Sequence, residues 1–238
     1  MKCVALILSG GTGSRMNMDI PKQYIEVAGR MIITESIRPF VECELVSDIR
    51  IVADKMWHDN IMNEYRIISE KYMGDTYKFQ GFSTPGANRQ LSILNGLRDI
   101  REKCGEDTMV IIHDAARPLV TVDLIEKCIN ACEGHDGVMP VLSMKDTVYY
   151  SEDGKEVSKL LNRDRIFAGQ APEVFRLVKY IEACEALLPD KIMDIRGSTE
   201  PAIMAGMDIA MIAGDEENFK ITTKDDLERY EKVRCRKK

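Results

Sequence analysis

The sequence predicts an α/β protein whose mostly parallel sheet carries helices on both faces. Two observations carry that expectation: short β-rich apolar runs alternate with helix-period segments, and the first run ends directly in a glycine-rich turn. Length is a third, because 238 residues bury one sizeable core. A single domain over 1–238 is expected, with one excursion at about 143–170.

The elements follow in order. CVALIL reads as a buried strand that meets glycines at once, and MIITESIRPFVEC as a helix. DIRIVAD is a second strand, followed by a helix over the Trp57 to Tyr72 region and another over NRQLSILNGLRDIREKC. MVIIHD, TVDLIEKCINACE and DGVMPVL continue as strand, helix, strand. The alternation implies a Rossmann-like parallel sheet with right-handed crossovers, and ligands bind at the carboxyl ends of such strands. The Gly10 turn and the His113-Asp114 pair both fall on that edge. After Leu142 the pattern breaks: KDTVYYSEDGKEVSKLL reads as two short strands around Asp153-Gly154, an antiparallel β-arm. The chain then returns to type with a helix near 177–187, a strand at DIAMIAG and a closing helix from about Lys224.

Composition excludes several classes. No apolar run approaches the 18 residues or more of a membrane span, and the first ten residues lack a signal-peptide pattern, so a cytoplasmic protein away from the membrane is expected. A net charge of −6 argues against broad nucleic-acid binding. The seven cysteines are scattered without a C-x-x-C, which indicates neither a disulfide framework nor a zinc site.

The loop LSGGTGSRMNMDIPKQY carries the chemistry. Glycines after a first strand let backbone N–H groups approach phosphate oxygens. A Walker A loop needs Gly-Lys-Ser/Thr, but Gly13 is followed by Ser14 and Arg15. A dinucleotide fingerprint needs a third glycine where Met16 stands, which disfavours an NAD-linked oxidoreductase. Beside the bland reading of a glycine turn with surface Arg15 and Lys22, the loop resembles the G-x-G-x-R-M…P-K-Q pattern of sugar-nucleotide-type pyrophosphorylases, with Pro21 fixing the backbone before the lysine. Such a set suits a triphosphate that must be bent and cleaved.

With LSGGTGSRM and PKQY, the chain also has GANRQLSILNGL, HDAARP, KDT, NRDRIFAGQAPEVF and NFKITTKDDL in that order. In these motifs it resembles, nearly end to end, the CTP-dependent cytidylyltransferases of the IspD type. These act on 2-C-methyl-D-erythritol 4-phosphate or, in related members, ribitol 5-phosphate. The resemblance implies the nucleotide-diphospho-sugar transferase type of sheet, CTP and a polyol phosphate as substrates, and Mg²⁺ or another divalent cation. It implies that Gly10, Gly11, Thr12 and Gly13 hold the triphosphate, and that Gly86, Ala87, Arg89 and Ser92 recognise cytosine. Arg15, Lys22 and Lys220 would act on the reacting phosphates, Asp114 would hold the metal, and Arg117 would contact the substrate phosphate. Asp215, Glu217 and Asn218 are alternatives for completing the metal shell. The resemblance further implies a homodimer whose arm, with Thr147 and Arg163, serves the partner's acceptor site.

A phosphate monoester loses its second proton near pH 6 and needs no general base at neutral pH, so positioning and charge neutralisation are expected to dominate. Bland readings stand beside these: Asn88 or Ser92 caps a helix, Thr222 and Thr223 cap the last one, and His113 is structural. The chain departs from the family pattern at Ala171 and Glu173, where Thr-Pro-Gln is usual, and at Arg196-Gly197, where Thr-Asp is usual. A carboxylate at Glu173 is expected to repel a phosphate. Methylerythritol phosphate is placed first as acceptor, ribitol phosphate or another polyol phosphate second. A CTP-binding regulator without turnover is the reading from another class.

Overall fold

A computed structural model of the chain describes residues 2–11, 20–72 and 77–236. From the N-terminus, β1 (Cys3–Leu8), the short pair β2 (Glu26–Val27) and β3 (Arg30–Met31), and α1 (Ile32–Glu42) are followed by β4 (Asp48–Val52) and α2 (His58–Tyr72). Next come β5 (Phe79–Ser83), α3 (Arg89–Arg101), β6 (Met109–Asp114), α4 (Val122–Ala131) and β7 (Gly137–Ser143). The arm strands β8 (Val148–Tyr150) and β9 (Lys159–Leu161) precede β10 (Phe167–Gly169), β11 (Glu173–Arg176), α5 (Leu177–Glu185), α6 (Glu200–Met204), β12 (Ile209–Ala213) and α7 (Lys224–Arg236).

The main sheet runs β10-β7-β11-β6-β1-β4-β5, with β12 also paired to β7. The strands β6, β1, β4 and β5 are parallel, as is the β7–β12 pair, whereas β11 is antiparallel to both β6 and β7. β1 shows why the sheet is covered twice. Cys3, Ala5 and Ile7 pack on the side of α1, α2 and α4, while Val4 and Leu6 pack on the side of α3 and α5. The closing helix covers Val27, Ile32 and Ile221 with Tyr230. No helix among the described residues is long and apolar enough to cross a membrane.

Two of the strands that escape the sequence pattern, β5 and β11, have a physical reason for doing so. In β5 (FQGFS) a polar residue and a glycine interrupt the apolar run, and a register shift leaves Gln80 unpaired opposite β4, a bulge on an edge strand. β11 (EVFR) is only four residues long, follows a proline and runs straight into α5; neighbours on both sides, not its composition, make it a strand. The arm is the expected hairpin: β8 and β9 pair antiparallel, Asp153 accepts the N–H groups of Lys155 and Glu156, and Gly154 adopts φ +72°.

Candidate active site

The carboxyl ends of β1, β4 and β6 open into one cavity of about 410 Å³. Its walls include Gly10 and Gly11 from the first turn, Lys22 and Gln23, the segment Gly86 to Arg89, Ser92, Asp114 and Lys220. Thr12, Gly13 and Arg15 lie outside the described residues.

The turn after β1 is pinned from the side. Lys22, Gln23 and Tyr24 form a single 3₁₀ turn, from which the Gln23 amide donates to the carbonyls of Ser9 (2.8 Å) and Gly11 (2.7 Å). The Tyr24 hydroxyl donates to Ser9 O (3.0 Å), and its ring stacks on Trp57 at 4.0 Å. The glycine turn and Lys22 are therefore one unit. Gln23 was not singled out by sequence reading; its place beside the lysine was the available signal.

The opposite wall is the start of α3. Asn88 is the N-cap, its Oδ1 accepting Leu91 N–H at 2.8 Å. Ser92 Oγ accepts Gly86 N–H (2.9 Å) and donates to Asn88 O (2.8 Å), so its hydroxyl shapes the segment that precedes the helix. Gly86 is required there, because a Cβ would meet Leu91 Cβ at 2.5 Å.

Asp114 is the electrostatic centre. It is 7% exposed, and its carboxylate faces Arg89 (3.1 Å), Lys220 (2.9 Å) and Arg117 (3.5 Å). Burial alone would raise its pKa, but Arg89, then Lys220 and Arg117, outweigh burial and hold it well below the usual carboxylate range. It is the only carboxylate lining the cavity among the described residues, which contain no group of three or more His, Cys, Asp or Glu side chains able to hold a metal ion.

The remaining candidates are dispersed. Arg117 does not line the cavity; it donates to Asn218 O at 2.7 Å behind Asp114. Thr147 and Arg163 share a groove on the arm with Leu160 and Asn162, none of which lines the Asp114 cavity. Asp215 accepts Glu217 N–H (2.8 Å) and Glu217 pairs with Arg229, while buried Asn218 donates to Ala171 O (2.7 Å). Thr223 Oγ1 accepts Asp226 N–H at the start of α7, and Asp226 accepts from Thr222 and Thr223 in return, the capping arrangement expected. His113 is buried against Phe40, its Nε2 3.1 Å from Arg117 O. Glu173 does not face the cavity: its carboxylate accepts the hydroxyls of Ser198 and Thr199. Ser198 in turn touches Arg89, a contact no local pattern signals.

The chain is similar to known proteins over nearly its whole length. Residues 3–234 match the model of the family described as IspD, 2-C-methyl-D-erythritol 4-phosphate cytidylyltransferase. A 2-C-methyl-D-erythritol 4-phosphate cytidylyltransferase of Rubrobacter xylanophilus is 36% identical, with 94% of this chain and 91% of that protein covered. A ribitol-5-phosphate cytidylyltransferase of Streptococcus agalactiae is 29% identical, with 95% and 92% covered. Among solved structures, the 4-diphosphocytidyl-2C-methyl-D-erythritol synthase of Anaerococcus prevotii superposes with a TM-score of 0.80 at 25% identity, covering 99% of this chain and 96% of that one.

Proposed function

The chain belongs to the IspD family of cytidylyltransferases, and on that premise we propose that it transfers CMP from CTP to 2-C-methyl-D-erythritol 4-phosphate, releasing pyrophosphate. The observation that carries the reading is the cavity in which Lys22 and Lys220 converge with the glycine turn and a carboxylate held charged. A phosphate oxygen of the acceptor attacks the α-phosphorus of CTP as the bond to pyrophosphate breaks. The backbone N–H groups of Gly10 and Gly11 bind the triphosphate, and Lys22, Lys220 and Arg15 offset the charge that builds on the α-phosphate. Gly86, Ala87, Arg89 and Ser92 form the wall assigned to cytosine. Arg117 already donates to the Asn218 carbonyl and pairs with Asp114, and its guanidinium has further N–H groups with which to hold the acceptor phosphate.

Mg²⁺ is part of the proposal. The donor chemistry fits, since Mg²⁺ takes one or two carboxylates and completes its shell with phosphate oxygens and water, and Asp114 lines the cavity. When bound, the ion would neutralise triphosphate charge and hold its bend. A homodimer formed through the arm also belongs to this reading, supported by exposed Tyr149, Val157 and Leu160. A cytoplasmic setting is supported by seven unpaired cysteines.

Ribitol 5-phosphate is the second acceptor to test, given the Streptococcus agalactiae relative. Pyrophosphate release is measured from CTP and Mg²⁺ with each acceptor in parallel. Release only with methylerythritol phosphate is expected; release only with ribitol phosphate reassigns the acceptor. CTP binding without release in either case overturns the proposed acceptor and leaves another polyol phosphate or a regulatory role.

A further inference from the structure

Arg89 stands in an unfavourable place. It is the first residue of α3, where the helix dipole and unpaired N–H groups disfavour a cation, yet its side chain lines the nucleotide cavity. Two carboxylates compensate. Asp114 takes its Nη2 directly at 3.1 Å. On the other side Nη1 donates to Ser198 Oγ at 3.0 Å, and that hydroxyl donates to buried Glu173. A hydroxyl has one proton and two lone pairs, and a carboxylate only accepts, so the order Arg89 to Ser198 to Glu173 runs in one direction.

The sheet register explains why the two acids flank one guanidinium. Glu173 lies opposite Ile112 on the antiparallel β6–β11 pair, and Asp114 is two residues beyond Ile112. Alternation sends all three side chains to the face covered by α3. Ser198 is anchored independently of Arg89: its carbonyl accepts the Tyr180 hydroxyl, and the Asn88 amide ties the start of α3 to Ile192 O at 2.9 Å. Thr199 satisfies the second oxygen of Glu173 at 2.6 Å.

We propose that Glu173 is a positioning residue, which through the Ser198 hydroxyl fixes the Arg89 guanidinium for the nucleotide. The proposal rests on the nucleotide reading of the cavity. An amide at 173 keeps the shape but loses the charge that offsets Arg89 at the helix start, and it presents a donor to one of the two hydroxyls.

The test uses full-length chain with ¹⁵N-labelled arginine, the Arg89 signals being identified by their loss in Arg89→Lys. A guanidinium held at both ends rotates slowly and gives separate Nη resonances. These are expected in the unaltered chain and expected to merge in both Glu173→Gln and Ser198→Ala. CTP affinity, titrated without acceptor, is expected to fall roughly tenfold in each, and neither substitution is expected to weaken it further in an Arg89→Ala background. Separate resonances surviving both substitutions overturn the proposal, as does an equal loss of affinity in the Arg89→Ala background, which marks a structural role only. If Glu173→Gln does not fold, Ser198→Ala leaves Glu173 bonded to Thr199 and carries the test. The resonances are read without CTP, so absence of pyrophosphate release or of CTP binding in the unaltered chain counts against the proposed function separately.

Discussion

Two glycines of the cavity do different work. A Cβ at Gly86 would overlap Leu91 and the Ser92 amide, whereas one at Gly11 would meet nothing within 4 Å among the described residues. Gly86→Ala should therefore lower stability by about 1–3 kcal/mol through overpacking, and Gly11→Ala should leave the melting temperature unchanged while weakening CTP binding. Thermal melts beside CTP titrations check both; a fall in melting temperature for Gly11→Ala would contradict this assignment. His113 gives a pH prediction. Burial lowers its pKa from 6.5 to about 4, and Asp114 and the Arg117 carbonyl only partly oppose that. Between those values the unfolded chain binds a proton that the folded chain refuses. The contribution is complete above pH 6.5 and is lost as the pH falls toward 4. Urea midpoints at pH 7 and pH 5 should differ accordingly, and His113→Gln should reduce the difference.

At the scale of elements, α1 depends on a residue far from it in sequence. Buried Lys78, just before β5, donates to the carbonyls of Val41 (2.8 Å) and Cys43 (2.7 Å) and lies 3.5 Å from that of Phe40, at the end of the helix. A cation there satisfies orphan carbonyls and complements the dipole. Lys78→Met removes the donors while keeping most of the bulk, and should destabilise the fold by about 2–4 kcal/mol. A loss below about 1 kcal/mol in urea unfolding, within the range of an ordinary surface change, would show that water replaces the ammonium. Because α1 packs on the side of the sheet away from α3, the change should leave CTP affinity unaltered once folded.

At the scale of the whole molecule, the proposed dimer is tested through the arm. Leu160 is 64% exposed and Val157 67%, on a hairpin whose groove holds Thr147 and Arg163. If the arm packs on a second copy, light scattering should report twice the chain mass, and Leu160→Asp should reduce it to one while leaving the melting temperature of the monomer little changed. Acceptor KM should rise in that variant more than the Kd for CTP, because the wall proposed for CTP is built within one chain. A monomeric unaltered chain would refute the arm's role.

Much of the fold was legible because local rules and tertiary context agree. The alternation of β1, β4, β6, β7 and β12 with helices is a pattern of apolar periodicity, and the arm's turn is written in Asp153-Gly154. β5 and β11 were not legible, since a bulged edge strand and a four-residue strand owe their pairing to neighbours. For the cavity, the glycine turn and Lys22 could be named from residue type and order, and Asp114 and Lys220 through the family resemblance. The charge state of Asp114 could not, because its depressed pKa arises from cations brought by three separate segments. Glu173 shows the limit most clearly. Read along the chain it is a carboxylate expected to repel phosphate; in the fold, strand register and the Ser198-Thr199 segment turn it away from the cavity and toward Arg89. The sequence by itself determined which chemistry is available, because motif order and residue type suffice for that. Only the tertiary structure decided which groups act on one another, because hydrogen-bond direction and burial depend on residues that are distant in the chain and adjacent in space.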